Sequence, residues 1–441
     1  ALRLISLLAS ILLIIPIYYL ARNQTSKLTA IFIFISTSLL TPIIHFSIFP
    51  LSDMLATSLI FSSLTLMYFA LIKNSSKLFI MTSILLGLTF LTRSEGTMFF
   101  VLSLGYLSFY LIGGIISEKM PFKQLKILPL FVIFFLMVVS PYLIAIRSQL
   151  GYWTLSQKFN AQIQQTHAFE YKKGITWAQE IWSVKSPNYN SLYFKNGTQF
   201  ILDNLHGLIE SFFERLKSWQ KLLLLNFPVW FIIISFLGLF FITKKTFWAD
   251  FFIIYILSLA IPITIFSTSV IDIRYLLWAI PFIILYFYKA LFNLLQRLPI
   301  FLRSLIPFIL ITLIPIFSYK VLDIETYTRE FTYTHFRPQI LEIAEFIKQQ
   351  SPDGEPRIMT RHEGIEFYSR GVTIYTPQDY HSQAINYAQM NKVNYIVVWN
   401  RELVQEKELL KFFDESNQNL KKELTLNTPE GDMTVYTIKS R

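Results

Sequence analysis

Five charged side chains sit where chemistry can use them. Asp53 ends Leu51-Ser-Asp53. Arg93 and Glu95 lie in Leu91-Thr-Arg-Ser-Glu-Gly96, and Asp272 and Arg274 in Ser269-Val-Ile-Asp-Ile-Arg-Tyr275. A carboxylate at a membrane surface can act as a general base or ligate a metal. A guanidinium grips phosphate through a planar fork of donors. Each residue also has a plainer reading. Ser52 or Asp53 can cap a helix, and Arg93 and Glu95 can pair locally to close a helical hairpin. Arg274 can snorkel, and Tyr275 fits an interfacial aromatic belt.

A second group lies in Gly151-Tyr-Trp-Thr-Leu-Ser-Gln-Lys158. The faces of Tyr152 and Trp153 suit a sugar ring or a lipid headgroup, and Lys158 suits an anion. Interfacial anchoring is the competing role. The six histidines form no His-x-x-x-His pattern, and His45 alone stands on the outer face near Asp53 in sequence. No metal ligand set and no cofactor is assigned, although a divalent metal is compatible with these groups. The chain has no cysteine, which excludes disulfides and thiolate chemistry.

What must position these residues is a set of membrane helices. The chain is 53% hydrophobic and only 15% charged, against about a quarter charged in ordinary soluble domains. Its mean hydropathy is +0.47. Apolar runs of bilayer-spanning length recur over the first three quarters. They predict about ten spans: 2–20, 28–46, 54–72, 78–91, 97–116, 127–146, 221–242, 251–267, 275–295 and 305–319. A long polar, aromatic-rich stretch, 147–220, interrupts them, with an amphipathic segment at 200–216 suited to the interface.

The net charge of +11 does not imply nucleic acid. From residue 320 onward there are 15 Lys and Arg against 18 Asp and Glu, which leaves 24 basic and 10 acidic residues upstream. The basic excess falls in short loops between spans, the positive-inside pattern. Orienting the spans by those loops puts Asp53, Arg93, Glu95, Asp272, Arg274 and the long loop on the opposite, outer face. The first span then runs outside to inside, so a cytoplasmic N-terminus requires an odd number of spans before Ala1.

From about residue 320 the pattern changes. Helices at 337–350, 378–391 and 402–413 alternate with strands at 357–360, 372–375 and 393–399, and strands at 423–426 and 433–438 flank a turn. This predicts a small α/β domain with a mostly parallel sheet. The expected fold class is thus a polytopic α-helical membrane protein, residues 1–319, with a C-terminal extracytoplasmic α/β domain, residues 320–441. No Gly-x-Gly-x-x-Gly follows a strand, so no nucleotide is assigned.

Several segments together resemble bacterial C-type (GT-C) glycosyltransferases. They are Arg3-Leu-Ile-Ser-Leu-Leu, Pro16-Ile-Tyr-Tyr-Leu-Ala-Arg22, Leu51-Ser-Asp53, Gly87-Leu-Thr-Phe-Leu-Thr-Arg-Ser-Glu-Gly96, and Arg274-Tyr275 with Pro281. More narrowly they are similar to the group related to protein O-mannosyltransferases and lipid A aminoarabinose transferase. The resemblance implies many membrane helices around an outward-facing cavity. It implies transfer of a hexosyl or pentosyl group from a polyprenyl-phosphate donor to a lipid, glycan or protein acceptor, usually with inversion. The enzyme is then a multi-pass protein of the inner (plasma) membrane, with its site and C-terminal domain facing the periplasmic or extracellular side.

In this family the main catalytic carboxylate lies in the first outer loop, which is expected upstream of Ala1. Asp53 matches a second acidic position, and Arg93 and Arg274 match positions associated with phosphate binding. Other readings differ in their product: a lipid-linked polysaccharide polymerase or ligase extends a glycan, a lipid or sugar transporter moves its cargo unchanged, and a scaffold gives no product.

Overall fold

A computed structural model describes residues 2–48, 52–118, 120–150, 153, 205–243, 246–268, 272–297, 299, 305–310, 338–352, 354–360, 363–374, 381–399, 420–427 and 432–438. They belong to a helical unit and a sheet-containing unit.

The helical unit begins with α1 (Leu2–Gln24), α2 (Lys27–Ser38), α3 (Thr41–Ile48), α4 (Ser52–Lys73), α5 (Ser76–Thr92), α6 (Gly96–Ile116) and α7 (Ile127–Leu150). It continues with α8 (Leu205–Asn226), α9 (Val229–Gly238), α10 (Phe247–Ser267) and α11 (Ile280–Leu294). Among the described residues five helices are long and apolar enough to cross a membrane, or seven if two bent pairs each count as one span. Two shorter apolar helices, α5 and α11, accompany them. The expected span at 305–319 lies mostly outside the described residues. The protein is a multi-pass helical membrane protein.

Two expected spans are broken. The second bends by 55° between α2 and α3. The one expected at 221–242 divides into α8 and α9, which meet at 100°. Pro228 caps α9, and a proline disfavours helical backbone at the residue before it, so the chain turns at Phe227. The amphipathic segment expected at 200–216 is part of α8 from Leu205 onward. The ninth expected span does not start as α-helix at Tyr275: a 3-10 turn, Ile273–Leu276, precedes α11.

Aromatic rings fill the helix contacts. Phe100 stacks on Phe135 with centroids 3.7 Å apart, and Phe231 on Phe287 at 4.0 Å. Small residues let backbones approach, as in other membrane bundles. A methyl on Gly238 would meet the Tyr286 carbonyl, and one on Gly87 would meet the Val138 side chain.

The sheet-containing unit has α12 (Pro338–Gln350), β1 (Arg357–Met359), α13 (Glu363–Ser369), β2 (Val372–Ile374), α14 (His381–Met390), β3 (Tyr395–Trp399), β4 (Leu420–Leu426) and β5 (Met433–Ile438). The sheet order is β2-β1-β3-β5-β4. β1 pairs in parallel with β2 and β3, but β5 is antiparallel to both β3 and β4. The mostly parallel expectation is therefore corrected to a mixed sheet, because β4 and β5 form a hairpin that adds to β3. One core, including Ile343, Ile347, Ile358, Val397 and Val435, lies on one face, and Met359, Ile396 and Val398 contribute to another core. This alternation follows the two-residue period of a strand. The helix expected at 402–413 is outside the described residues.

Candidate active site

The site is assembled at one end of α4, α5, α10 and α11. Asp53 occupies the first turn of α4, with its side chain 3% exposed. Arg93 ends α5 in extended backbone, its amide still donating to the Thr89 carbonyl at 2.8 Å. Gly96 then donates to the Arg93 carbonyl at 3.0 Å, which turns the chain directly into α6. A side chain at Gly96 would collide with the backbone of Phe90 and Thr89. Glycine alone fits that approach, and the tight turn aims Arg93 and Glu95 together.

Arg93 joins two carboxylates. Its Nη1 donates to Asp53 Oδ1. Its Nη2 and Nε donate to Glu95 Oε1 at 2.7 and 3.2 Å. The local pairing of Arg93 with Glu95 is thus present, and so is a longer-range pair with Asp53. Such charge-assisted contacts are the strong class of hydrogen bond.

The other half comes from the connection between α10 and α11. Asp272 caps the 3-10 turn by accepting from the Arg274 amide at 2.9 Å. Its Oδ2 lies 3.4 Å from Arg274 Nε. The two arginines meet at Tyr275: the guanidinium carbons of Arg93 and Arg274 lie 5.1 and 5.0 Å from the ring centroid. That distance is within cation–π range. α3, which carries His45, packs against the same turn.

The arginines differ in availability. Arg93 is 13% exposed and all three guanidinium nitrogens are engaged with carboxylates, whereas Arg274 is 29% exposed and holds Asp272 only at longer range. Three stretches far apart in sequence thus converge on one polar cluster, with Asp53, Arg93, Glu95, Asp272, Arg274 and Tyr275 together. Trp153 is exposed, its ring 4.6 Å from the Arg147 guanidinium, and is not linked to this cluster by any described contact. Tyr152 and Lys158 lie outside the described residues. Among the described residues no three His, Asp or Glu side chains form a metal-holding group.

Two further charged residues escaped the sequence reading. Asp250 in the first turn of α10 and Lys289 in α11 are almost fully buried, with Lys289 Nζ 3.9 Å from Asp250 Oδ2. The available signal was their place within apolar runs, since ionisable groups inside membrane segments are costly and usually paired or functional.

This fold is similar to that of the C-type membrane glycosyltransferases. Residues 1–144 match the family model described as dolichyl-phosphate-mannose-protein mannosyltransferase. The fold is similar to the crystal structure of ArnT from Cupriavidus metallidurans bound to undecaprenyl phosphate, with a TM-score of 0.52 and 12% identity, covering 100% of this chain and 84% of that one. The apo state of the same protein matches with a TM-score of 0.40 and 12% identity over 98% and 83% of the two chains. No curated protein matches the chain in sequence. The resemblance to GT-C glycosyltransferases is borne out by sequence over residues 1–144 and by fold over the chain as a whole.

Proposed function

We propose that this protein is an integral membrane glycosyltransferase that moves a sugar from a polyprenyl-phosphate donor to an acceptor hydroxyl on the outer face, with inversion. The observation that carries this reading is the convergence of Asp53, Arg93 and Arg274 around Tyr275. It places a carboxylate beside two guanidinium groups at the end of a membrane bundle. The family match over residues 1–144 and the fold shared with a structure that holds undecaprenyl phosphate support the choice of donor.

The chemistry asks little of the protein. When the bond from the sugar's anomeric carbon to the phosphate oxygen breaks, the phosphate departs without needing a proton. The acceptor hydroxyl attacks from the opposite side and its proton passes to a carboxylate. The developing phosphate charge is met by fixed cations. Arg274, the more available guanidinium, binds the phosphate, and Arg93 adds positive charge while it orients Asp53. Asp53 positions the acceptor or assists the base. Glu95 and Asp272 hold the two arginines, and Tyr275 supports both. Tyr152, Trp153 and Lys158 of the long loop are further proposed contacts, the two aromatic residues to the sugar or headgroup and the lysine to the anion. In this reading residues 1–319 carry the chemistry and residues 320–441 lie on the same outer side.

The test is a transfer assay on the full chain in detergent or nanodiscs, using undecaprenyl-phosphate-linked hexose and pentose donors, with the products identified by mass spectrometry. One sugar added to an acceptor is expected. A lengthened glycan would point to a polymerase, and lipid moved without chemical change to a transporter. Either result overturns the proposal.

A further inference from the structure

At the opposite end of the same helices lies a second polar cluster, built on the buried pair Asp250–Lys289. Asp250 also accepts from Thr246 Oγ1 at 2.7 Å. Lys289 donates to Gln24 Oε1, at the end of α1, at 3.2 Å. The neighbouring residue Asn23 donates to Tyr68 Oη of α4 at 3.1 Å. Tyr68 is 15 residues beyond Asp53 in α4, about 22 Å along the helix axis at the standard rise. The pair is therefore remote from the candidate site.

Its connections are informative. Asp250 is on α10 and Lys289 on α11, and the segment between those helices carries Asp272, Arg274 and Tyr275. α10 packs on α4 and α6, whereas α11 packs on α2 and α9. The two helices thus rest on different neighbours. The chain itself joins them at the tip, and the Asp250–Lys289 pair spans between them toward the far end, with surroundings that reach α1 and α4. A buried ion pair gains little net stability compared with an apolar replacement, so stability alone is not what this pair supplies.

We propose that Asp250 and Lys289 are positioning residues that hold the Arg274-bearing connection in register with the Arg93-bearing turn. The pair fixes where the far ends of α10 and α11 lie, and rigid helices carry that constraint to the tip. The functional meaning rests on reading the rim cluster as the donor site, but the structural claim can be tested without any activity.

The chain has no cysteine, so labels can be placed one by one. Spin labels at Leu91→Cys and Ile263→Cys, both exposed, report the separation between the end of α5 and the end of α10. Pulsed electron–electron distance measurements on the full chain in nanodiscs are expected to give one narrow distribution. Lys289→Met should shift or broaden it while the protein remains folded, and Lys289→Arg, which keeps the charge, should restore it. An unchanged narrow distribution in folded Lys289→Met overturns the proposal. If Lys289→Met does not fold, Asp250→Asn/Lys289→Met, which leaves no charge uncompensated, is measured in its place. A narrow distribution in that variant, or its failure to fold, also overturns the proposal. Loss of sugar transfer with the distances unchanged would count against this inference and not against the proposed function.

Discussion

The Arg93 guanidinium lies 5.1 Å from the centre of the Tyr275 ring, although the two residues belong to separate helix connections. Arg274 lies 5.0 Å from the same ring. One aromatic face system thus gathers two cations that would otherwise repel, while Asp53, Glu95 and Asp272 compensate their charge.

Arg274→Ala should weaken donor binding more than it harms folding. A hydrogen bond to a charged group contributes roughly 1.5–3 kcal/mol, which corresponds to about a 10- to 150-fold loss in kcat/KM. Arg274→Lys should recover only part of this, because the ammonium lacks the planar fork. Initial rates against donor concentration check both variants.

Arg93→Ala should act mainly on stability. It strands the buried Asp53 carboxylate, and removing one partner of a buried pair costs about 3–5 kcal/mol. Adding Asp53→Asn should recover much of the loss, since an amide needs no counter-ion. Thermal unfolding followed by tryptophan fluorescence measures the double-mutant cycle. Equal stability of wild type and Arg93→Ala would contradict the pairing.

Tyr275→Phe should retain most donor affinity, because the ring remains and the hydroxyl meets Arg274 only at 3.4 Å. Tyr275→Leu should lose more, since each cation–π contact contributes about 0.5–2 kcal/mol. Binding of undecaprenyl phosphate by the two variants gives the comparison.

Gly96→Ala should displace the turn that carries Arg93 and Glu95. The added methyl meets the Phe90 backbone, which cannot rotate away as a side chain can. Overpacking of this kind costs about 1–3 kcal/mol. A lower unfolding temperature together with lower activity is the expected result.

Single cysteines at Ser52 and Asp272 should react with an impermeant maleimide from one side of the membrane, and a cysteine at the exposed Ile116 from the other. Labelling of positions 52 and 272 from different sides would end the proposed site.

Much of this protein was legible in one dimension. Apolar runs revealed the membrane helices, because a span must satisfy its backbone and face lipid along its own length. The Pro, Gly and strand patterns after residue 337 located α12, β1, β2, α14, β3 and β5. Asp53, Arg93 and Arg274 could be singled out because charged groups are scarce near apolar spans.

Other features depended on partners far away in sequence. Hydropathy does not say that α8 and α9 meet at 100°, nor that β5 joins β3 in the antiparallel sense. It also gives no account of why Asp53 faces Arg93 or why Asp250 faces Lys289. Residue types and their local period are properties of a segment, and they set which helices form. Which charges meet is decided only when those helices pack, because an ion pair depends on the distance between side chains and not on either side chain alone.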